Sequence, residues 1–241
     1  MNKKIMLLAL GAVSAVLLAL PAMASALVPL HLEPTPPAAV SQPIHNAGGE
    51  VKPFLSAESG LTITCDGFSG SANFEAGGTT GTMKLTFGPN CKESLTGGPC
   101  TNTGVEKDNR ITTELLPFHL ATVEHPAKGG GKSPGVLVTP NANTFFARFT
   151  CHTIFGTLEQ NVTGNGVIGT IINPACNGLS TDATIKFEES AHGKQTHNKL
   201  VGTETIYTLT KGAEHVAQNA TGTLTLKDAL GNAINSKLVC T

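Results

Sequence analysis

Apolar and polar residues alternate along much of the chain. Leu61, Ile63 and Cys65 share one side of the first such run, Met83, Leu85 and Phe87 of the next, and Phe145, Ala147, Phe149 and Cys151 of a third. Ile185 with Phe187, Thr205 with Tyr207 and Leu209, and Leu224 with Leu226 continue the pattern toward the C-terminus. A period of two suits an extended strand with one buried face, because successive side chains point to opposite sides of the backbone. Threonine fills many of the positions between and fits a half-buried pleated surface. Beyond residue 26 no stretch sustains an apolar stripe at the 3.6-residue period of a helix. The pattern predicts an all-β protein of roughly ten or more antiparallel strands, stacked as a β-sandwich or curled into a β-barrel.

The breaks between runs are rich in glycine. Gly77-Gly78, Gly97-Gly98-Pro99 and Gly129-Gly130-Gly131 mark loops. Gly164-Asn165-Gly166 separates Leu158–Thr163 from Val167–Ile172. Asn-Gly accepts positive φ at both residues, so a β-hairpin is expected there.

The N-terminus follows a different pattern. Lys3 and Lys4 precede an apolar run from Ile5 to Leu20, and Pro21-Ala22-Met23-Ala24-Ser25-Ala26 follows. A basic start, an apolar middle and small residues at the end describe a helical signal peptide over residues 1–26, cleaved after Ala26 or after Ala24. The run falls short of the ~20 apolar residues of a membrane-spanning helix, and no later run reaches that length. No cysteine near the cleavage point offers a lipid anchor. Residues 27–52 carry Pro29, Pro34, Pro36, Pro37 and Pro43 with little periodicity, which predicts a flexible or partly extended lead-in. The all-β domain is expected over residues 53–241. A single domain is favoured over two, with Gly129-Gly130-Gly131 the best alternative boundary.

Export changes the meaning of the six cysteines, Cys65, Cys91, Cys100, Cys151, Cys176 and Cys240. An even count in an oxidising compartment reads as disulfides, although six cysteines allow 15 connectivities. Cys65 and Cys151 both fall on apolar strand faces, so a core bridge between them is expected. Cys91 and Cys100 flank the Gly97-Gly98-Pro99 loop and form the natural local pair, leaving Cys176 with Cys240. Zinc spacing is absent, there being no C-x-x-C.

Without the leader the chain has 14 basic and 17 acidic residues, a formal charge of −3. That balance argues against nucleic acid and against a polybasic membrane contact as partners. Two arginines, Arg110 and Arg148, are too few for a phosphate- or carboxylate-binding cluster. The absence of Trp and the single Tyr207 argue against a sugar-stacking platform. The phenylalanines, among them Phe145, Phe149 and Phe187, fall mostly at alternating apolar positions and are expected in the core.

Candidate chemistry is thin. Ala127-Lys128-Gly129-Gly130-Gly131-Lys132-Ser133 ends like a phosphate-binding loop, but Pro126 occupies the first glycine position and no helix pattern follows Ser133. Gly67-Phe68-Ser69-Gly70 lacks the strand-to-helix elbow of a serine nucleophile. His119 and His125, and His192 and His197, lack the i, i+4 helical spacing of a zinc protease. Glu188 and Glu189 are adjacent on an expected strand, so they face opposite ways and cannot flank one bond together; Asp182 is another isolated acid. Asn161-Val162-Thr163 and Asn219-Ala220-Thr221 match the N-glycosylation pattern, which carries little weight after a leader of bacterial style. No catalytic, cofactor-binding or metal-ligating residue is assigned, and no cofactor is expected.

Several short stretches occur in a familiar order: Ile63-Thr64-Cys65, Leu85-Thr86-Phe87 running into Cys91, Cys100-Thr101-Asn102-Thr103-Gly104 and Ile111–Leu115. Phe149-Thr150-Cys151, Gly166-Val167-Ile168-Gly169 with Asn173-Pro174, and Gly193-Lys194-Gln195 continue it. From about Leu61 to Leu226 the chain resembles a group of uncharacterised secreted proteins predicted from soil actinobacterial genomes. The resemblance implies that the four cysteines matching Cys65, Cys91, Cys100 and Cys151 recur, with Cys176 and Cys240 as additions. It implies export and a β-fold, and no activity.

The chain is therefore expected to be a secreted, disulfide-stapled β-protein that binds an extracellular ligand or contributes to a cell surface without catalysis. Two other readings remain. One is a secreted hydrolase whose carboxylates or histidines meet only in three dimensions. The other is a barrel carrying an apolar small molecule, which would need an apolar cavity of several hundred Å³.

Overall fold

A computed structural model describes residues 30–36, 38–40, 44–45, 53–104, 109–125, 131–141 and 144–240. The expected signal peptide at 1–26 and the glycine-rich loop at 126–130 lie outside the described residues. The described chain is all-β without a helix, built from antiparallel strands in large sheets and carrying three disulfides.

In the first sheet, Thr80–Phe87 pairs with Gly67–Phe74 on one side and Leu116–His125 on the other. The ladder then runs through Gly131–Val138, Val167–Asn173 and Asp182–Phe187 to the second half of the 14-residue strand Glu214–Lys227. Ala72, Phe74, Phe118, Val136, Ile185 and Leu226 from across this sheet border one small interior space of about 30 Å³, so the sheet is strongly curved. It is not closed along its length. The three-residue strand Ala38–Val40 bridges its edges, pairing with Ser71–Asn73 and with Thr225–Lys227. Phe68 covers part of the remaining seam, its ring so close to Gly222 that a Cβ there would lie 1.9 Å from it.

Within the proline-rich lead-in, Leu30–Glu33, Ala38–Val40 and Ile44–His45 are strands of the fold. Leu30–Glu33 pairs with Ser236–Cys240, which also pairs with Leu179–Ser180, and this small sheet covers one end of the first. Leu30, Leu32 and Leu238 are buried in the main core. On the outer face of the first sheet, residues 198–207 fold over Ala121, Val123, Leu137 and Ile168, burying Leu200 and Tyr207. Tyr207 thus packs from a loop and not from the strand its alternation suggested; that strand is short, Leu209–Lys211.

The second sheet is ordered Lys92–Glu93, Thr62–Thr64, Phe54–Ala57, the first half of Glu214–Lys227, Leu209–Lys211, Gly156–Gly164, Ala147–Thr153 and Cys100–Asn102. The strand Glu214–Lys227 runs through both sheets, and one buried apolar cluster draws on both.

Two expectations are corrected. Gly164-Asn165-Gly166 is a corner and not a hairpin. Gly156–Gly164 is paired with Ala147–Thr153 and Leu209–Lys211, and Val167–Asn173 with two strands of the first sheet, so neither has an edge for the other. Asn165 instead bonds Ile206 O (2.8 Å) and the Thr208 N–H (2.8 Å). The disulfides are Cys65–Cys91 and Cys100–Cys151, in place of Cys65 with Cys151 and Cys91 with Cys100; Cys176–Cys240 is as expected. The four cysteines lie in a row across neighbouring strands. Cys91 and Cys100 are joined by a backbone hydrogen bond (Cys100 N to Cys91 O, 2.8 Å), and each side chain bridges outward to a cysteine with Cα 4.0 Å away. That separation is a little shorter than the about 4.5 Å of closely spaced cross-strand pairs and than the usual disulfide range.

Candidate functional site

The residues singled out by chemistry are dispersed. Gly131, Lys132 and Ser133 open a strand, so the lysine-serine pair faces no helix N-terminus. Ser69 lies inside the Gly67–Phe74 strand. His119 is half-buried, and burial lowers its pKa. His125's side chain lies outside the described residues. Asp182 accepts hydrogen bonds from Thr225 (2.7 Å) and Thr181 (3.3 Å). Among the described residues no group of three or more His, Cys, Asp or Glu side chains could hold a metal ion.

Glu188 and Glu189 do face different partners. Glu188 pairs with Lys186 (2.6 Å) and lies 3.8 Å from the buried His197. Glu189 accepts a hydrogen bond from the Ser56 hydroxyl and lies 3.6 Å from Nδ1 of His192. Ser56, Glu189 and His192 thus assemble only in three dimensions, where sequence reading had no means to see them. Their order is wrong for a hydrolase, which needs the imidazole between acid and nucleophile. Here the acid touches the serine, which is fully buried and also accepts the Gly193 N–H (3.1 Å). The trio pins the hairpin Glu189–Gln195 onto the strand Phe54–Ala57. Gln195 extends the fastening, its side-chain amide bonding both the N–H (2.9 Å) and the carbonyl (2.8 Å) of Gln218.

A different feature stands out at the loop end of the second sheet. Ala147–Thr153 and Gly156–Gly164 form a hairpin whose two-residue tip is Ile154-Phe155, 81 % and 88 % exposed. Leu95, in the loop after Lys92–Glu93, is 67 % exposed at the same end. The tip is held firmly. The Thr153 hydroxyl donates to Gly156 O (2.9 Å) and accepts the Phe155 N–H (3.1 Å), and the Cys100–Cys151 bridge lies just below.

The neighbouring loop is organised by Glu93, which is buried. Its carboxylate accepts the N–H groups of Leu95 (2.6 Å), Thr96 (2.9 Å) and Gly98 (2.9 Å), and the Thr96 hydroxyl. Burial works to raise its pKa, but the bonds from the Thr96 hydroxyl and from these backbone groups prevail and hold it below the usual carboxylate range. The loop then presses on the hairpin: His152 N donates to Pro99 O (2.9 Å), and a Cβ on Gly98 would sit 1.7 Å from the His152 carbonyl oxygen. Glycine is required there by proximity.

This end presents apolar surface that a partner could bury. Phe155 was expected with the other phenylalanines in the core. The available signal was Ile154-Phe155 falling between two alternating runs, directly before Gly156. No family model matches the chain, and no curated protein or solved structure matches it either.

Proposed function

We propose that the protein is an extracellular, non-catalytic binding protein that engages a cell-surface or extracellular partner through the Ile154-Phe155 tip. The observation that carries this reading is the pair of large apolar side chains held in solvent on a braced hairpin. Apolar residues scattered singly are ordinary on a surface, and an adjacent pair on a braced hairpin supports a contact role. Burying each against a partner contributes about 2 kcal/mol. Three disulfides are consistent with an extracellular location, and the resemblance to secreted actinobacterial proteins supports export.

The carrier reading is weakened by volume. Three apolar interior spaces among the described residues are about 40, 30 and 20 Å³, against the several hundred a lipophilic ligand needs. The concavity of about 470 Å³ bordered by Pro140, Asn141, Thr144, Phe145 and Asn165 is an open surface feature of mixed polarity. The hydrolase reading loses its best trio, Ser56, Glu189 and His192, to its order and burial.

The test is fractionation of a bacterial host expressing the full chain, followed by sedimentation of the mature protein with isolated cell envelopes. Mature protein outside the cytoplasm and cosedimentation reduced about tenfold by Ile154→Ser/Phe155→Ser are expected, a change equivalent to about 1.4 kcal/mol. Cytoplasmic retention with an intact leader overturns export. Equal sedimentation of the double variant overturns the tip.

A further inference from the structure

Gln218 lies in the strand Glu214–Lys227, two residues before that strand passes from the second sheet's pairing to the first's. It is 3 % exposed. Its backbone N–H and carbonyl are both engaged by the Gln195 amide. Its side chain is not: neither Oε1 nor Nε2 has a hydrogen-bond partner among the described residues. The side chain borders a cavity of about 40 Å³ whose other walls are apolar, among them Leu55, Ile63, Phe149 and Val162.

A desolvated amide without partners is among the costliest arrangements in a protein interior, and nearly all buried polar atoms find a partner. A leucine or methionine would line the same wall without that cost. We propose that this cavity is an internal hydration site, where the Gln218 amide holds one ordered water. A trapped water needs about 10–15 Å³ of such space, so the cavity admits a water at the amide and excludes a drug-sized ligand. The amide offers an acceptor and donors on one planar group, and a water on their shared edge donates to Oε1 while accepting from Nε2. Two bonds meet the lower limit for a trapped water. A dry cavity or an apolar guest would leave both amide atoms unpaired.

Crystals of the mature protein, examined with and without xenon pressure, decide the matter together with water-to-protein nuclear Overhauser effects in solution. The expected result is a water peak within hydrogen-bond distance of both amide atoms of Gln218, cross-peaks from water to the Gln218 side-chain amide and the Val162 methyls, and no xenon at that place. Gln218→Leu is expected to fold and to lose the peak. Xenon beside Gln218 with no water peak overturns the proposal, as does a protein group bonded to the amide. The wild-type measurement decides even if the variant does not fold.

Discussion

The two ends of the molecule treat apolar side chains in opposite ways. At the end of the first sheet, a small three-stranded sheet fastened by Cys176–Cys240 turns its own Leu30, Leu32 and Leu238 into the main core. At the loop end of the second sheet, Leu95, Ile154 and Phe155 stand in solvent although a disulfide, a buried carboxylate and a threonine hydroxyl all brace the backbone beneath them. Covalent fastening is common to both ends. The bracing at one completes a core, and at the other it lies beneath apolar side chains left in the open.

Substitutions separate the ends by the size of their effects. Leu238→Ala at the covered end should cost about 3–4 kcal/mol, from lost burial and the cavity left behind, read as a lower urea midpoint. Replacing Cys100 and Cys151 together by alanine should cost about 3 kcal/mol by the same measurement and loosen the hairpin, seen as faster amide exchange at Thr153–Gly156.

Glu93→Gln should cost about 1–2 kcal/mol at neutral pH, since the amide replaces an acceptor-only carboxylate facing several donors. Its pH dependence has a definite sign. The folded carboxyl is held below its unfolded value, so its contribution is full above the unfolded pKa and lost as pH falls through the folded one. The gap between wild type and Glu93→Gln should therefore narrow below about pH 4 in denaturation series. The smallest effect is expected at the tip, where Ile154→Ser/Phe155→Ser should shift stability by no more than about 0.5 kcal/mol. A large loss there would mean that the tip packs like the covered end.

Much of the fold was legible because strand alternation is a local property. Ile63 and Cys65, Met83 and Leu85, and Phe149 and Cys151 are buried as their alternation requires. The pairing of the cysteines was not legible. Cys91 and Cys100 flank a loop and do lie side by side, yet Glu93 and backbone bonds already hold that loop, and each thiol meets the strand on its other side. The corner at Asn165 escaped for a similar reason: a Gly-Asn-Gly turn fits a hairpin or a passage between sheets, and the neighbours of each strand decide which.

From sequence alone came the all-β class, the disulfide bonding of all six cysteines, and the separate partners of Glu188 and Glu189. Each follows from periodicity, from composition or from side-chain alternation within a few residues. Only the tertiary structure decided that Leu30–Glu33 closes one end, that Ser56 meets Glu189 across 133 positions, that Gln218 borders an apolar cavity, and that Ile154-Phe155 projects from a braced hairpin. Those depend on which strand lies beside which, and strand partners are chosen by the burial of the whole chain.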